Sequence, residues 1–227
     1  MLILGLLSAI EASTCLCRRS GYLCGNPTAG LMLQNSLSLA SRALMFIFLP
    51  LLGAMADGKM AGVRHWVLAV AFLFVPLLIG GVICFRSRIE GIFIILVQRI
   101  NANGTLYRRA VSAVAPARID SPRRLRSRRY NEFKSLVCVS FIPYYAAWPV
   151  VIYLLSIFPE NRGLLLGLSG LFNGINTILM AVFIDPQLAR IGNHERIVIG
   201  VYDDLVWARL YAAVIVLILL VVWWIAP

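Results

Sequence analysis

Long apolar stretches separated by short polar ones set the pattern of the chain. Six of them read as membrane spans, at about residues 2–17, 29–52, 64–85, 136–158, 163–184 and 207–226. The longer ones reach the roughly 20 residues that a helix needs to cross a hydrocarbon core of about 30 Å. They are continuously apolar rather than alternating, which selects helices over a β-barrel. The first span is the shortest and contains Glu11. The last is framed by Trp207 at one end and by Trp223 and Trp224 at the other, residues suited to the two membrane interfaces. Asp203 and Asp204, just before it, read as a solvated helix start. The stretch 91–100 is too short to span and is expected on the surface or as a helical extension. The pattern predicts an all-α integral membrane protein. It is a single polytopic domain over residues 1–227, a bundle of about six transmembrane helices with a basic loop, residues 86–135, between helices 3 and 4.

Composition agrees. The chain is 60% hydrophobic and 14% charged, with a mean hydropathy of +0.85. A soluble domain of this size cannot hide so much apolar surface. No Lys or Arg precedes Arg18, so the first segment does not read as a cleaved signal.

Charge sets the expected orientation. The 86–135 loop holds twelve Lys and Arg against three acids, a net charge of +9. Arg18, Arg19, Arg190 and Arg196 are expected on the same side. The positive-inside rule puts that side in the cytoplasm and both termini outside. The segment 53–64 resembles the cytoplasmic loop motif of major facilitator transporters and argues the reverse, but twelve cations outweigh it. The basic loop suits the anionic lipids of the inner leaflet. Nucleic acid is not an expected partner, because no stacking platform or groove-reading motif accompanies the charge.

Polar residues inside the spans carry the candidate chemistry. Gln34, Ser38, Ser41 and Arg42 fall on one helix face, with Asn35 at its edge. Arg42 lies near mid-span and stays protonated. Its insertion costs at least about 2.5 kcal/mol, so it is expected to face a protein interior or a wet cavity. Glu11 is the expected carboxylate partner, and a phosphate is the alternative. In the fifth span Ser169, Asn173 and Thr177 form a second polar stripe flanked by Asn176. Gly163, Gly167, Gly170 and Gly174 form a ridge beside it, expected to seat another helix. Asp185 and Pro186 read as the end of that helix. Pro143 and Pro149 are expected to loosen the fourth span.

Enzyme and metal chemistry find no support. His65 and His194 stand in no HExxH pattern, and neither a phosphate loop nor a nucleophile elbow is present. The five cysteines lack zinc spacing and read as small apolar residues. No metal and no cofactor is expected.

With these residues laid out, the chain resembles the Amj family, alternate lipid II flippases of bacterial cell-wall synthesis. "IEASTCLCRRSGYLCG" is similar to the family's opening acid, Arg and Gly, here Glu11, Arg18, Gly21 and Gly25. "NSLSLASRALMFIFLPLLGAMAD" supplies Asn35, Ser41, Arg42, Pro50, Gly53 and Asp57. "LSGLFNGINTILMAVFIDP" supplies Ser169, Gly170, Asn173, Gly174, Thr177, Asp185 and Pro186. Met45 and Phe48 stand where the family usually has polar residues, and Leu23 and Asn26 where it usually has basic ones.

The resemblance implies a multi-pass protein of the bacterial cytoplasmic membrane with lipid II as its substrate. On that reading Arg42, aided by Arg18 and Arg19, meets the pyrophosphate. Gln34, Asn35, Ser38, Ser41, Ser169, Asn173, Asn176 and Thr177 line a polar path. Glu11, Asp57 and Asp185 are the ion-pair or coupling acids, with Glu11 and the phosphate competing for Arg42. The energy source stays open, with the proton gradient or the membrane potential as candidates, and so does a homodimer with a shared path. A transporter or scramblase for another polyprenyl-linked lipid or phospholipid, or a non-transporting scaffold of envelope synthesis, are the competing readings.

Overall fold

The computed structural model describes residues 2–57, 65–105, 128–191 and 195–225. Side chains at 55–57, 65, 128–131 and 195–196 fall outside that description. Among the described residues the chain is helical throughout. In order come α1 (Leu2–Leu23), α2 (Pro27–Asp57), α3 (His65–Phe72), α4 (Phe74–Cys84) and α5 (Arg86–Asn103). There follow α6 (Arg128–Ile157), α7 (Arg162–Leu179), a π-helical turn (Met180–Ile184), α8 (Asp185–Ile191) and α9 (Glu195–Ile225).

Five stretches are long and apolar enough to cross a membrane: Pro27–Ala54, Trp66–Cys84, Glu132–Ile157, Pro159–Ile191 and Ile197–Ile225. They correspond to the second through sixth expected spans. The first span, α1, is 22 residues long and carries Glu11, Arg18 and Arg19. It packs against α2, α4, α5 and α9. Leu4, Leu7, Leu16 and Cys17 on it are almost fully buried. A helix so enclosed by protein tolerates polar residues that lipid would reject.

The α1–α2 hairpin is built by local chemistry. Gly25, at φ 68°, closes α1 in the left-handed conformation. The Asn26 N–H bonds the Gly21 carbonyl and the Gly25 N–H bonds the Tyr22 carbonyl, a Schellman closure. Asn26 then caps α2 by accepting the Ala29 N–H at 3.0 Å, with Pro27 in the first helical position. The two helices meet at Gly21 and Gly30, where a Cβ on Gly21 would fall 2.7 Å from the Gly30 Cα.

Prolines shape the other spans. Pro76 has no N–H for the Phe72 carbonyl, and the helix breaks between α3 and α4 at Leu73. Asp185 and Pro186 do not end their helix, as had been expected. The π turn widens the backbone just before Pro186, the Asp185 N–H bonds the Met180 carbonyl, and α8 continues to Ile191. α6 runs through Pro143 and Pro149 without a break. The apolar stretch 91–100 belongs to the longer α5, which lies against α1, α2 and α4.

An ion-pair lattice ties one end of the bundle. Arg19 on α1 pairs with Glu90 on α5 and, at 3.3 Å, with Asp203 on α9. Asp203 also holds Arg86 at 2.7 Å, and Asp204 holds Lys134 of α6 at 2.7 Å. Asp203 and Asp204 are therefore not a solvated helix start. They sit inside α9, which begins at Glu195, well before the expected boundary. Arg18 and Arg19 share this end with both flanks of the basic loop.

Candidate functional site

A cavity of about 410 Å³ lies inside the bundle, walled by α1, α2, α6, α7 with its π turn, α8 and α9. Along α1 it runs from Leu7 to Arg18, about 16 Å at the helical rise. α2 contributes Gln34, Ser38, Ser41, Arg42 and Met45 at helical spacing on one face. α7 contributes Asn173, Asn176 and Thr177, with Met180 and Asp185 after them. Arg42 and Thr177 are exposed while lining the cavity, so it opens between α2 and α7.

Charge is concentrated in two tiers. Toward the basic end, Arg18 donates to the Tyr202 hydroxyl at 3.4 Å and lies 3.9 Å from Asp185. Deeper in, Glu11 accepts the Ser41 hydroxyl at 3.3 Å and lies 3.9 Å from Arg209. Seven residues separate Glu11 from Arg18 on α1, about 10 Å of rise. Three guanidiniums thus face two carboxylates in one cavity. Arg42 has no hydrogen bond or ion pair among the described residues. The expected Glu11–Arg42 pair is therefore replaced by a loose Glu11–Arg209 pair, because α9 brings its own arginine to α1.

The walls are rich in unmet hydrogen-bonding capacity. Gln34 Oε1, Asn173 Oδ1 and Asn176 Oδ1 are buried without a protein partner. So are Arg18 Nε and the Nε and Nη1 of Arg209. Buried polar groups in folded proteins are normally paired. The amides of Gln34, Asn173 and Asn176 and the guanidiniums of Arg18 and Arg209 all line the cavity.

Three of the expected path or charge residues lie elsewhere. Asn35 is exposed and off the cavity face, one residue and so about 100° round from Gln34. Arg19 is committed to the ion lattice. Ser169 is buried and donates to its own helix at the Leu166 carbonyl, 2.6 Å away. Asp57 ends α2, and its side chain lies outside the described residues.

The glycine ridge also differs from expectation. A Cβ at Gly163, Gly167, Gly170 or Gly174 would meet no described atom within 4 Å. α7 packs on α6 through Leu165 instead, so the ridge faces away. Gly163 and Gly167 border a second gap of about 670 Å³, opposite Leu49, Pro50, Gly53 and Ala54 of α2. The polar cavity and this largely apolar gap lie along one seam between α2 and α7.

Sequence reasoning missed Arg209. It falls inside the expected last span, two residues after Trp207, and the surrounding apolar run masks it. Tyr144 was missed too. It lines the cavity from α6, its hydroxyl facing Glu11 without closing a hydrogen bond. Of the four positions that depart from the family pattern, Met45 lines the cavity. Phe48 is buried edge-on against Trp148, 5.0 Å between ring centres.

A family model described as Amj, Alternate to MurJ, matches residues 3–197. The chain belongs to the Amj family. No curated protein and no solved structure matches it. The Amj match spans α1 to α8 and the first residues of α9, so every cavity residue named above except Arg209 lies within it.

Proposed function

We propose that this Amj-family chain moves lipid II, the undecaprenyl-pyrophosphate-linked peptidoglycan precursor, from the inner to the outer leaflet of the bacterial cytoplasmic membrane. The observation that carries the reading is the polar cavity with Arg42, unpartnered among the described residues, at its opening between α2 and α7. A flippase must offer a polar route to the head while the tail stays in lipid. The cavity supplies guanidiniums for pyrophosphate, and a planar guanidinium binds such oxygens through paired hydrogen bonds. Its orphaned amides at Gln34, Asn173 and Asn176 suit the hydroxyls and amides of a glycopeptide. The apolar gap farther along the seam suits the prenyl chain.

The protein works as a transporter rather than an enzyme. The family description, alternate to a protein it replaces, supports that class. The basic end, where Arg18 opens the cavity beside the flanks of the 86–135 loop, faces the cytoplasm by the positive-inside rule. Anionic inner-leaflet lipids lie against it.

The test uses bacterial cells depleted of their own flippase, carrying this chain or its Arg42→Ala form at matched membrane levels. Lipid II exposure on the outer leaflet is restored by the first and not by the second. Failure of both despite insertion rejects lipid II as the substrate and favours another lipid or a scaffold.

A further inference from the structure

The geometry points to Arg209 as a second cationic arm of the anion site, meeting the phosphate of a polyprenyl-phosphate lipid together with Arg42 and displacing Glu11 when it does. The inference rests on the reading of the cavity as a lipid-phosphate path. Arg209 lies on α9, only 8% exposed, and reaches the cavity from the wall beyond Glu11. Its guanidinium rests 4.3 Å over the Phe141 ring, which fixes its plane. Yet its Nε and Nη1 donate to nothing among the described residues.

A purely structural role predicts a closed pair. The same molecule closes ion pairs where it uses them: Arg86 to Asp203 and Lys134 to Asp204 are each 2.7 Å. At Glu11 the nearest approach of Arg209 is 3.9 Å, beyond hydrogen-bond reach. Glu11 is held as loosely on its other side, by the Ser41 hydroxyl at 3.3 Å. Glu11, Arg42 and Arg209 line the same cavity, and Glu11 is bound tightly to neither arginine among the described residues. A phosphate oxygen that entered there would meet the idle Nε and Nη1 of Arg209 and the guanidinium of Arg42, which has no partner among the described residues. The carboxylate would be the group that yields, since like charges repel at that separation. Arg209 also lies beyond the stretch that the family model covers, so this arm is read from the fold of this chain alone.

The full-length chain, purified in detergent, tests this with farnesyl pyrophosphate as the probe and farnesol as the tail-only control. Arg209→Gln alone strands Glu11, so the Glu11→Gln/Arg209→Gln pair, which removes both charges together, is compared with Glu11→Gln. Glu11→Gln alone is expected to bind farnesyl pyrophosphate more tightly than wild type. The double variant is expected to bind it on the order of tenfold more weakly than Glu11→Gln, through loss of charge-assisted hydrogen bonds, and farnesol binding is expected to be unchanged in both. If the double variant binds the pyrophosphate as Glu11→Gln does, Arg209 is only a counter-ion and the inference falls while the cavity reading stands. An equal loss for farnesol shows a collapsed site and also overturns it. If wild type binds no farnesyl pyrophosphate, the cavity reading fails and takes the inference with it.

Discussion

The Glu11 carboxylate leans toward Arg209, 3.9 Å away on the last helix, while Arg42 has no partner among the described residues. The two arginines therefore sit differently in the fold. Arg209 is buried and held by Glu11 and the Phe141 ring. Arg42 stands at the cavity opening and makes no hydrogen bond or ion pair among the described residues. Two predictions about stability follow from that difference.

Arg42→Ala is expected to leave stability within about 1 kcal/mol of wild type, because no hydrogen bond or ion pair among the described residues is lost. Thermal unfolding of the purified protein in detergent checks this. A large loss would mean that Arg42 has a structural partner.

Arg209→Ala is expected to destabilise by about 1–3 kcal/mol, since it removes the cation that faces the partly buried Glu11. The Glu11→Gln/Arg209→Gln pair is expected to recover most of that loss. Unfolding midpoints of the single and double variants, compared as a cycle, measure the coupling.

Asp203 holds the almost fully buried Arg19 together with Arg86, and Asp204 holds the part-exposed Lys134. Asp203→Asn is accordingly expected to cost a few kcal/mol, since it takes a carboxylate from a buried guanidinium. Asp204→Asn is expected to cost less, because water screens its lysine partner. The ranking of the two in one unfolding assay is the test.

Glycine positions give a fourth contrast. Gly30→Leu is expected to abolish folding of the α1–α2 hairpin, because its Cβ would lie 2.8 Å from the Gly21 Cα. Gly167→Ala is expected to be tolerated, because its Cβ would meet open space. The monodisperse fraction after extraction from the membrane reports both.

How much of this was legible depended on the range of the interaction. The polar faces of α2 and α7 were readable because the helical period is local and a polar stripe on an apolar helix must face inward. That reasoning found Gln34, Ser38, Ser41, Arg42, Asn173, Asn176 and Thr177, all on the cavity wall. It included Asn35 because one step of 100° decides between cavity and outside, and the face width is not fixed by period alone. The partner of Glu11 was not readable. Arg209 is almost 200 residues away, and only the packing of α9 on α1 brings it in. Gly163 and Gly167 advertise a small-residue face, but such a motif does not say whether a helix occupies it. Gly21 and Gly30 make the close approach across two helices, where no single-helix motif reveals it. The hairpin signal was present in "GYLCGNPTAG", whose Gly, Asn and Pro close one helix and open the next.

The most direct measurement is transbilayer movement of fluorescent lipid II in liposomes that contain the purified chain or its Arg42→Ala form at equal density. The account predicts that wild type moves the lipid between leaflets and that Arg42→Ala, though folded and inserted, does not. Equal movement by both proteins would contradict a path in which Arg42 meets the pyrophosphate.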